Sequence, residues 1–464
     1  MYRTFTQRLQ TLATPSTQFR LARSVRTMAT ASTVQLQASQ KPAYYKSGIT
    51  SETSKRASEL LQENHERHHI FFNHEGFHNH IVHHLLTLWS LGAGTADIQK
   101  GYDDNQSYQR PAITPKSSIV GQLQDVDTFT QHLGPEKHYP DFLEFFKHEI
   151  EAKGWQETLR QYVFAGDQRA DDMLVRMYSG FLHPIIHLGF GIEFQQPAII
   201  AEALAQAACH DNWLGQLLLP AEKVAARRAG GTSKSIVQLI DEIHADKQII
   251  DAVRWEDGNK IRDGLLARAG DRMIDYLSQV KVKPDELELK TDEMTNACIY
   301  YTGGAQRTDK AVKFDFFYMH SVNSSIFWSS FLKQDWLSEV NKVRLLEWKI
   351  RLDLAMYASR RSPEVRLDLI RDYKPCKPSG WDEIQARVCA LPDDGHASKL
   401  VRAIAHGEQI CEPYEESDAF RVRGSDWLQL GHMIIDSVEA PGETWVRSTG
   451  FDEAWKHVPL RSQL

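Results

Sequence analysis

The chain has 464 residues, of which 42% are hydrophobic and 25% charged, and its formal net charge is -7 at pH 7. This balance supplies ample core-forming material and argues against a nucleic-acid binder, because such proteins carry a basic surface. No apolar stretch reaches the roughly 18 residues of a membrane span, and the five cysteines show no CxxC spacing, which predicts a protein of a reducing compartment without disulfides.

Residues 1–51 differ in composition from the rest of the chain. They contain five arginines among serines, threonines and short apolar side chains, and the first acidic residue is Glu52. This pattern predicts a mitochondrial transit peptide. A disordered tail, or a natural start at Met28, explains it equally well. We therefore expect an N-terminal extension over 1–51, a catalytic domain over 52–464, and a mitochondrial or cytoplasmic rather than a secreted protein.

The chain after residue 52 carries apolar side chains at spacings of three and four, which is typical of helices, and few alternating strand patterns. No internal repeat and no Ser/Gly-rich linker divides it. A single large all-α domain is therefore the predicted fold. Helices are predicted around 77–92, 138–153, 168–182, 196–218, 261–279, 314–333, 341–359, 396–407 and 426–438.

The first candidate site motif is the apolar run FHNHIVHHLLTLWSLG at 77–92. At helical spacing, His80 and His84 lie on one apolar face, one turn apart. Burying two imidazoles without partners costs roughly 1 to 3 kcal/mol each, so something must satisfy them. A shared metal ion would satisfy both at once, and a hydrogen-bonded network in the core is the alternative. His83 is a reserve candidate.

A second histidine pair occurs in the segment HPIIHLGFGIEF. Pro184 suits the first turn of a helix, where its missing N–H costs nothing. His183 and His187 then share a face, as metal ligands would. Alternatively, His183 caps the helix and His187 packs in the core.

A third motif is the aromatic segment FDFFYMHSVNSSIFW, in which His320 is an isolated polar side chain. At helical spacing, Phe317 and Phe327 lie on the same stripe as His320. Aromatic walls usually belong to the core. Beside a metal they also form a flat apolar pocket that suits a planar ring.

The fourth motif is DDGHASKLVRA, in which two aspartates suit a helix N-terminus and His396 and Lys399 are neighbours on the first turns. Most such lysines are solvated. A buried lysine near a metal can instead lose its proton and form a carbamate, which binds metal as a carboxylate does. Lys377 and Lys349 are alternative candidates, although a stem that covers apolar surface explains both.

The glycine pairs of the sequence do not form a dinucleotide-binding fingerprint, because they lack the third glycine and follow helical runs. No GxxxxGK, GxSxG or HExxH motif occurs either. An ordinary flavin or nicotinamide fold is therefore not supported, and a metal is the better carrier of any redox chemistry.

These four motifs together resemble those of the questin oxidase-like proteins of fungal aromatic polyketide pathways, over about residues 55–440. The resemblance implies oxygen-dependent cleavage of an anthraquinone- or xanthone-type ring, described as a Baeyer-Villiger-like oxidation with NADPH as a possible co-substrate. It also implies a His-rich mononuclear iron completed by a carboxylated lysine.

Applied to this chain, the resemblance implies metal ligands at the same residues that the helical spacing indicates. Glu193 or Asn79 could orient a ligating imidazole. Because an iron that binds oxygen needs an open position, one candidate of the set is expected outside the coordination sphere. The predicted ligands are His80 or His84, His183, His187, His320 and, as a carbamate, Lys399, with His83 and His396 in reserve.

Three other functions are compatible with the sequence. Neutral imidazoles also suit zinc, so a zinc-dependent hydrolase or lyase would use the same residues. A Baeyer-Villiger monooxygenase could use NADPH without a metal. A non-catalytic helical scaffold would bury the histidines as hydrogen-bond partners. The expected partner is an aromatic polyketide substrate, with no nucleic acid and no membrane, and the sequence does not indicate an oligomeric state.

Overall fold

The structure, a computed structural model, describes residues 28–228 and 234–461. In these residues the protein is all-α, as predicted, and none of the helices has the length and apolar character to cross a membrane. The helices are α1 Ser51–Arg67, α2 Ile81–Ser90, α3 Thr95–Gln106, α4 Ser117–Val120, α5 Val126–His132, α6 Tyr139–Lys153, α7 Trp155–Tyr162, α8 Gln168–Met177, α9 His183–Glu193, α10 Pro197–Ala208, α11 Gly215–Arg227, α12 Ile236–Ala245, α13 Lys247–Asp251, α14 Ala267–Leu277, α15 Leu287–Gly304, α16 Phe316–Leu332, α17 Glu339–Ser359, α18 Leu367–Arg371, α19 Trp381–Ala390, α20 His396–Cys411 and α21 Asp426–Glu439.

Shorter elements complete the described chain. A π-helix spans Lys260–Leu266 and leads into α14. Two-residue strands, β1 Phe314–Asp315 and β2 Trp445–Val446, pair in parallel. The 3₁₀ turns are Glu136–His138, Gly180–Leu182, Pro284–Glu286, Glu412–Tyr414 and Asp452–Trp455.

Four helices, α2, α9, α16 and α20, enclose the part of the core that carries the histidine motifs. α2 packs against α9 and α20, and α16 packs against the same two helices. α9 is apolar and buried on nearly every side, as expected of a central helix, and Pro184 lies in its first turn as predicted. The four helices therefore form a closed ring of neighbours.

Several predicted helices differ from the structure in their bounds; the one predicted over 168–182, for example, is α8, which ends at Met177. The segment 196–218 is two helices, because the polar residues after α10 form a turn before α11 begins. Within 77–92 the helix begins only at Ile81, whose N–H donates to the side-chain oxygen of Asn79 at 3.0 Å. His80 is consequently the N-cap of α2, with φ -97° and ψ 0°. It does not lie on the first helical turn.

The segment 28–50 packs on the core, so the folded part begins before the predicted boundary at residue 52. Val34 and Leu36 are buried, and the Leu36 N–H donates to the Ser58 hydroxyl at 2.8 Å. Local composition did not reveal this, because the partners lie far along the chain. The transit-peptide prediction falls mainly on residues 1–27, which lie outside the described residues, and it stays a prediction.

Candidate metal centre

Four histidines meet where the N-terminal ends of the enclosing helices converge. His80 caps α2, and His183 and His396 are the first residues of α9 and α20. His320 lies in the second turn of α16. All four side chains are buried. The positive ends of helix dipoles disfavour protonated imidazole, so this placement favours the neutral, metal-binding form.

The geometry of three of these imidazoles suits one small ion. Ligand atoms of His80, His183 and His396 all lie within 4.8 Å of one another. The closest pair is His80 Nε2 and His183 Nε2, which are 2.8 Å apart. The His320 ring completes the cluster, with its centroid 4.9 Å from that of His183 and 5.2 Å from that of His396.

The hydrogen bonds of His183 and His80 determine which nitrogen of each ring carries the proton. His183 Nδ1 lies 2.6 Å from the Gly180 carbonyl oxygen, which can only accept, so Nδ1 donates. His80 Nδ1 lies 3.2 Å from the Asp394 carboxylate and donates to it. In the neutral rings, each Nε2 atom therefore carries a lone pair and no proton. The two Nε2 atoms are 2.8 Å apart, so their lone pairs repel each other unless both bind one cation.

The other two imidazoles are anchored in the same way. His396 Nδ1 donates to Asp394 at 2.6 Å, and His320 Nδ1 donates to the Phe316 carbonyl oxygen at 2.7 Å. Their Nε2 atoms are buried and accept no hydrogen bond from the described residues. Each of the four rings thus presents an unprotonated Nε2, which is the atom that a metal binds. The donor set fits a divalent metal that prefers nitrogen ligands.

The pKa values of the cluster keep its rings neutral. Burial lowers the pKa of His80 to about 3, and the positive charge of Lys399 adds to the effect. Burial also holds the pKa of His183, His320 and His396 below the usual value. A proton between His80 and His183 is therefore strongly disfavoured, and a metal ion bound to both Nε2 atoms would relieve the lone-pair contact.

Asp394 orients two of the imidazoles. Its carboxylate accepts from both His80 and His396. Burial opposes its ionisation, yet the interactions with His396 and His80 hold the pKa of Asp394 well below its usual range. The sequence analysis missed this role and named Glu193 or Asn79 instead. The acidic pair before His396 was the available signal.

Glu193 and Asn79 have other partners in the structure, so that expectation was wrong. Glu193 forms a buried ion pair with Arg402, and their closest atoms are 2.5 Å apart. Asn79 donates to Asn64 at 2.8 Å. Both side chains connect elements of the core.

The structure separates His84 and His187 from the cluster. Because His80 is a cap, the one-turn relation to His84 does not bring the two rings together, and His84 packs against Gly101 and Gly395. His187 is hydrogen-bonded through both nitrogens, to His83 at 3.0 Å and to Glu202 at 2.8 Å. Metal binding by His84 or His187 stays a prediction.

The three candidate lysines occupy different environments. Lys399 is buried, and burial lowers the pKa of its amine to about 8 despite Asp394 and Asp393. Its Nζ forms no ion pair within the part of the chain that the structure describes. Lys349 is paired with the buried Asp353, and Lys377 is largely exposed. Of the three, Lys399 is the one that is buried close to the imidazoles and acts on the pKa of His80.

A cavity of about 710 Å³ opens onto the cluster. His80, His183 and His396 lie in its lining, beside a second imidazole pair, His78 and His210, whose Nε2 atoms are 2.8 Å apart. Phe327, predicted as part of the pocket, is instead buried against Phe190 and Gly189. The phenylalanine and tryptophan side chains of the lining are Phe71, Phe72, Phe77, Phe181, Trp213, Phe316 and Phe317.

The fold and the site define an all-α enzyme with a buried histidine cluster at the end of an aromatic cavity. Residues 77–404 match the questin oxidase-like family. The match covers most of the chain, which belongs to this family. It includes His80, His183, His320 and His396.

Three relatives extend the comparison over nearly the whole chain. A Baeyer-Villiger monooxygenase of Cryptosporiopsis sp. is 44% identical over 424 residues, or 89% of this chain and 95% of the relative. The questin oxidase of Aspergillus terreus is 38% identical over 410 residues, or 87% and 92%. The oxidoreductase AflY of Aspergillus parasiticus is 39% identical over 423 residues, or 90% and 86%. The chain is an oxidoreductase.

Proposed function

We propose that this oxidoreductase cleaves a ring of an anthraquinone- or xanthone-type polyketide with dioxygen, at an iron ion held by His80, His183, His320 and His396. The observation that carries the proposal is the contact of two unprotonated Nε2 atoms at 2.8 Å, beside two more Nε2 atoms without partners. The names of the relatives, questin oxidase and Baeyer-Villiger monooxygenase, support oxidation of a polycyclic aromatic ketone.

The aromatic cavity supports this choice of substrate. Phe181 and Phe317 contact each other in the cavity lining, with ring centroids 4.8 Å apart, and a planar polycyclic ring would stack against the aromatic surface that they form together. Arg360 lies 3.8 Å from the Phe317 ring centroid and holds that ring in place. The cavity volume of about 710 Å³ falls in the range of small-molecule sites.

A bound iron(II) would supply the activation of dioxygen. The chain's own residues would orient the ligands and exclude water. Asp394 holds two imidazoles in the required tautomer, and the phenylalanines of the lining would remove water from the faces of the substrate. His78 Nε2 and His210 Nε2 lie 2.8 Å apart, so one of these rings can donate to the other, and the pair would be available to exchange a proton with a substrate hydroxyl. Lys399 would supply an anionic ligand if it is carboxylated.

The experiment that tests the proposal is metal analysis combined with oxygen uptake. We expect near-stoichiometric iron in the purified protein and consumption of dioxygen with questin, and loss of both in His183→Ala. His210→Ala is the matched control, because His210 lines the same cavity outside the cluster; it should keep its iron. A metal content of His183→Ala equal to that of the wild type would contradict the proposed ligand set.

Two alternatives give different results in the same experiment. Zinc in place of iron, without oxygen uptake, would indicate a hydrolase or lyase, which the neutral imidazoles also suit. Oxygen uptake that needs NADPH and survives complete removal of metal would indicate a metal-free Baeyer-Villiger monooxygenase. Addition of NADPH to the metal-loaded protein separately tests whether a reductant is required.

A further inference from the structure

Arg447 stands at the junction of the substrate cavity and a neighbouring cavity of about 680 Å³. Its guanidinium carbon lies 5.0 Å from the ring centroid of Phe316, which in turn contacts the rings of His320 and His396. The cation is therefore one aromatic ring away from the histidine cluster. It lies outside the segment that matches the family, 77–404.

The backbone around Arg447 is fixed on both sides. Val446 pairs with Asp315 in the parallel strands, and the N–H groups of Ser448 and Thr449 donate to the Asp315 carboxylate at 2.7 and 2.8 Å. Ser448 has φ +74°, an unfavourable conformation for a serine, which these bonds hold in place. The exposed side chain of Arg447 therefore projects from a fixed backbone.

The same carboxylate also positions the helix that carries His320. Asp315 caps α16 by accepting from the N–H groups of Phe317 and Tyr318 at 2.8 and 3.1 Å. One buried side chain thus sets the distance between Arg447 and the imidazole cluster.

Arg447 has free hydrogen-bond donors. It forms no ion pair or hydrogen bond within the described ranges, and stacking on a ring leaves the N–H edge of a guanidinium available. Arg262, the other arginine of the cavity lining, is paired with Asp263.

The acidic residues of the lining do not neutralise Arg447. Asp394 is bonded to two imidazoles and Glu136 to Arg110. The remaining carboxylates of the lining, Glu75 and Asp211, would repel an anion and so favour its binding beside Arg447.

We infer that Arg447 is the anion-binding residue of this cavity, and that the ligand it selects is a planar aromatic compound with a carboxylate or phenolate on the ring. The inference rests on the proposed function for the aromatic character of the ligand. An anion on Arg447 would place the adjoining ring beside Phe316, with its far edge toward His396. Arg447 thereby determines which edge of the substrate faces the imidazoles.

The test is equilibrium binding, which needs no turnover. An anthraquinone monocarboxylate and its methyl ester are titrated by calorimetry into the full chain as purified. We expect the wild type to bind the carboxylate about tenfold more tightly than the ester, the lower end of what charge-assisted hydrogen bonds give. Arg447→Gln should bind both compounds equally, and Arg447→Lys should keep part of the preference. Arg262→Gln is the matched control and should keep it fully.

The outcomes separate this inference from the proposed function. A preference for the carboxylate that survives in Arg447→Gln, or equal binding of both compounds by the wild type, overturns the role of Arg447 and leaves the aromatic cavity intact. No binding of either compound refutes the aromatic cavity and the inference with it. A phosphate is the other possible anion: if Arg447→Gln loses affinity for NADPH but keeps the carboxylate preference, Arg447 binds the reductant and the inference is wrong.

Discussion

The role of Asp394 leads to the most specific prediction about the histidine cluster. Its two oxygens accept from His80 Nδ1 and His396 Nδ1. In Asp394→Asn one oxygen becomes an NH2 group, which cannot accept. One imidazole then faces a donor and has to move its proton from Nδ1 to Nε2, the atom that would bind the metal.

The size of the effect follows from the two contacts. The loss of an orienting partner of a ligating histidine typically costs 10- to 100-fold in metal affinity, about 1.4 to 2.8 kcal/mol. The shorter contact, at 2.6 Å to His396, is the stronger one, so the substituted amide should keep its oxygen toward His396 and disturb His80. We therefore expect about a tenfold to hundredfold loss of affinity with an unchanged fold.

The assay is a competitive titration of metal-free protein with iron(II) or zinc(II) against a chelator of known affinity. Asp393→Asn is the matched control, because Asp393 accepts from the backbone N–H groups of Gly395 and Ala397 rather than from an imidazole, and an asparagine oxygen can replace it. The reasoning is refuted if Asp394→Asn binds metal as tightly as the wild type, or if Asp393→Asn loses as much affinity.

Three further predictions concern the surroundings of the cluster. His80→Ala should lose its metal whereas His84→Ala should keep it, because only His80 contacts the other proposed ligands. Metal analysis of both variants tests this, and an equal loss of metal in the two would show that His84 is also a ligand. Gly395→Ala should lower the free energy of unfolding by about 2 kcal/mol or more, because Gly395 has φ +93° and an added Cβ would lie 2.8 Å from the Cβ of His84. Urea unfolding measures this change, and a decrease below about 0.5 kcal/mol would contradict the prediction. Lys399→Met should stabilise the metal-free protein at about pH 7 by roughly 3 kcal/mol, because the pKa of Lys399 is lowered from 10.5 to about 8 and the folded state therefore opposes the charged amine. That penalty is complete below about pH 8 and disappears as the pH rises to 10.5, so the advantage of the variant should shrink at about pH 10; a constant difference would refute the buried charge.

The sequence by itself determined the fold class and the segments that supply the site. Spacings of three and four specify a helix locally, so α6, α16, α17 and α21 were predicted close to their observed bounds. Two long helices that were missed show no clear apolar stripe, because the buried face of α1 is largely polar and α15 is buried on most of its surface. The motifs with His183, His320 and Lys399 were also visible, because buried polar side chains in apolar runs require an explanation.

Tertiary structure decided which histidines meet. Periodicity assigned His80 and His84 to one face, but the regular helix begins only at Ile81, whose N–H is bonded to Asn79, and the His80 ring lies against His183. It assigned His187 to the same role as His183, yet Glu202, on another helix, occupies its Nε2. These outcomes depend on hydrogen bonds between elements distant in the chain, which local spacing does not encode.

The positions of Asp394 and Arg447 were likewise decided by the tertiary structure. Asp394 precedes its helix and was interpreted only as a residue suited to a helix N-terminus, because its contact with His80 spans 314 positions of the chain. Arg447 is an ordinary surface arginine in the sequence, and only the pairing of β2 with β1 brings it to the cavity. Sequence spacing identifies side chains that need partners, and the packing of helix ends selects the partners.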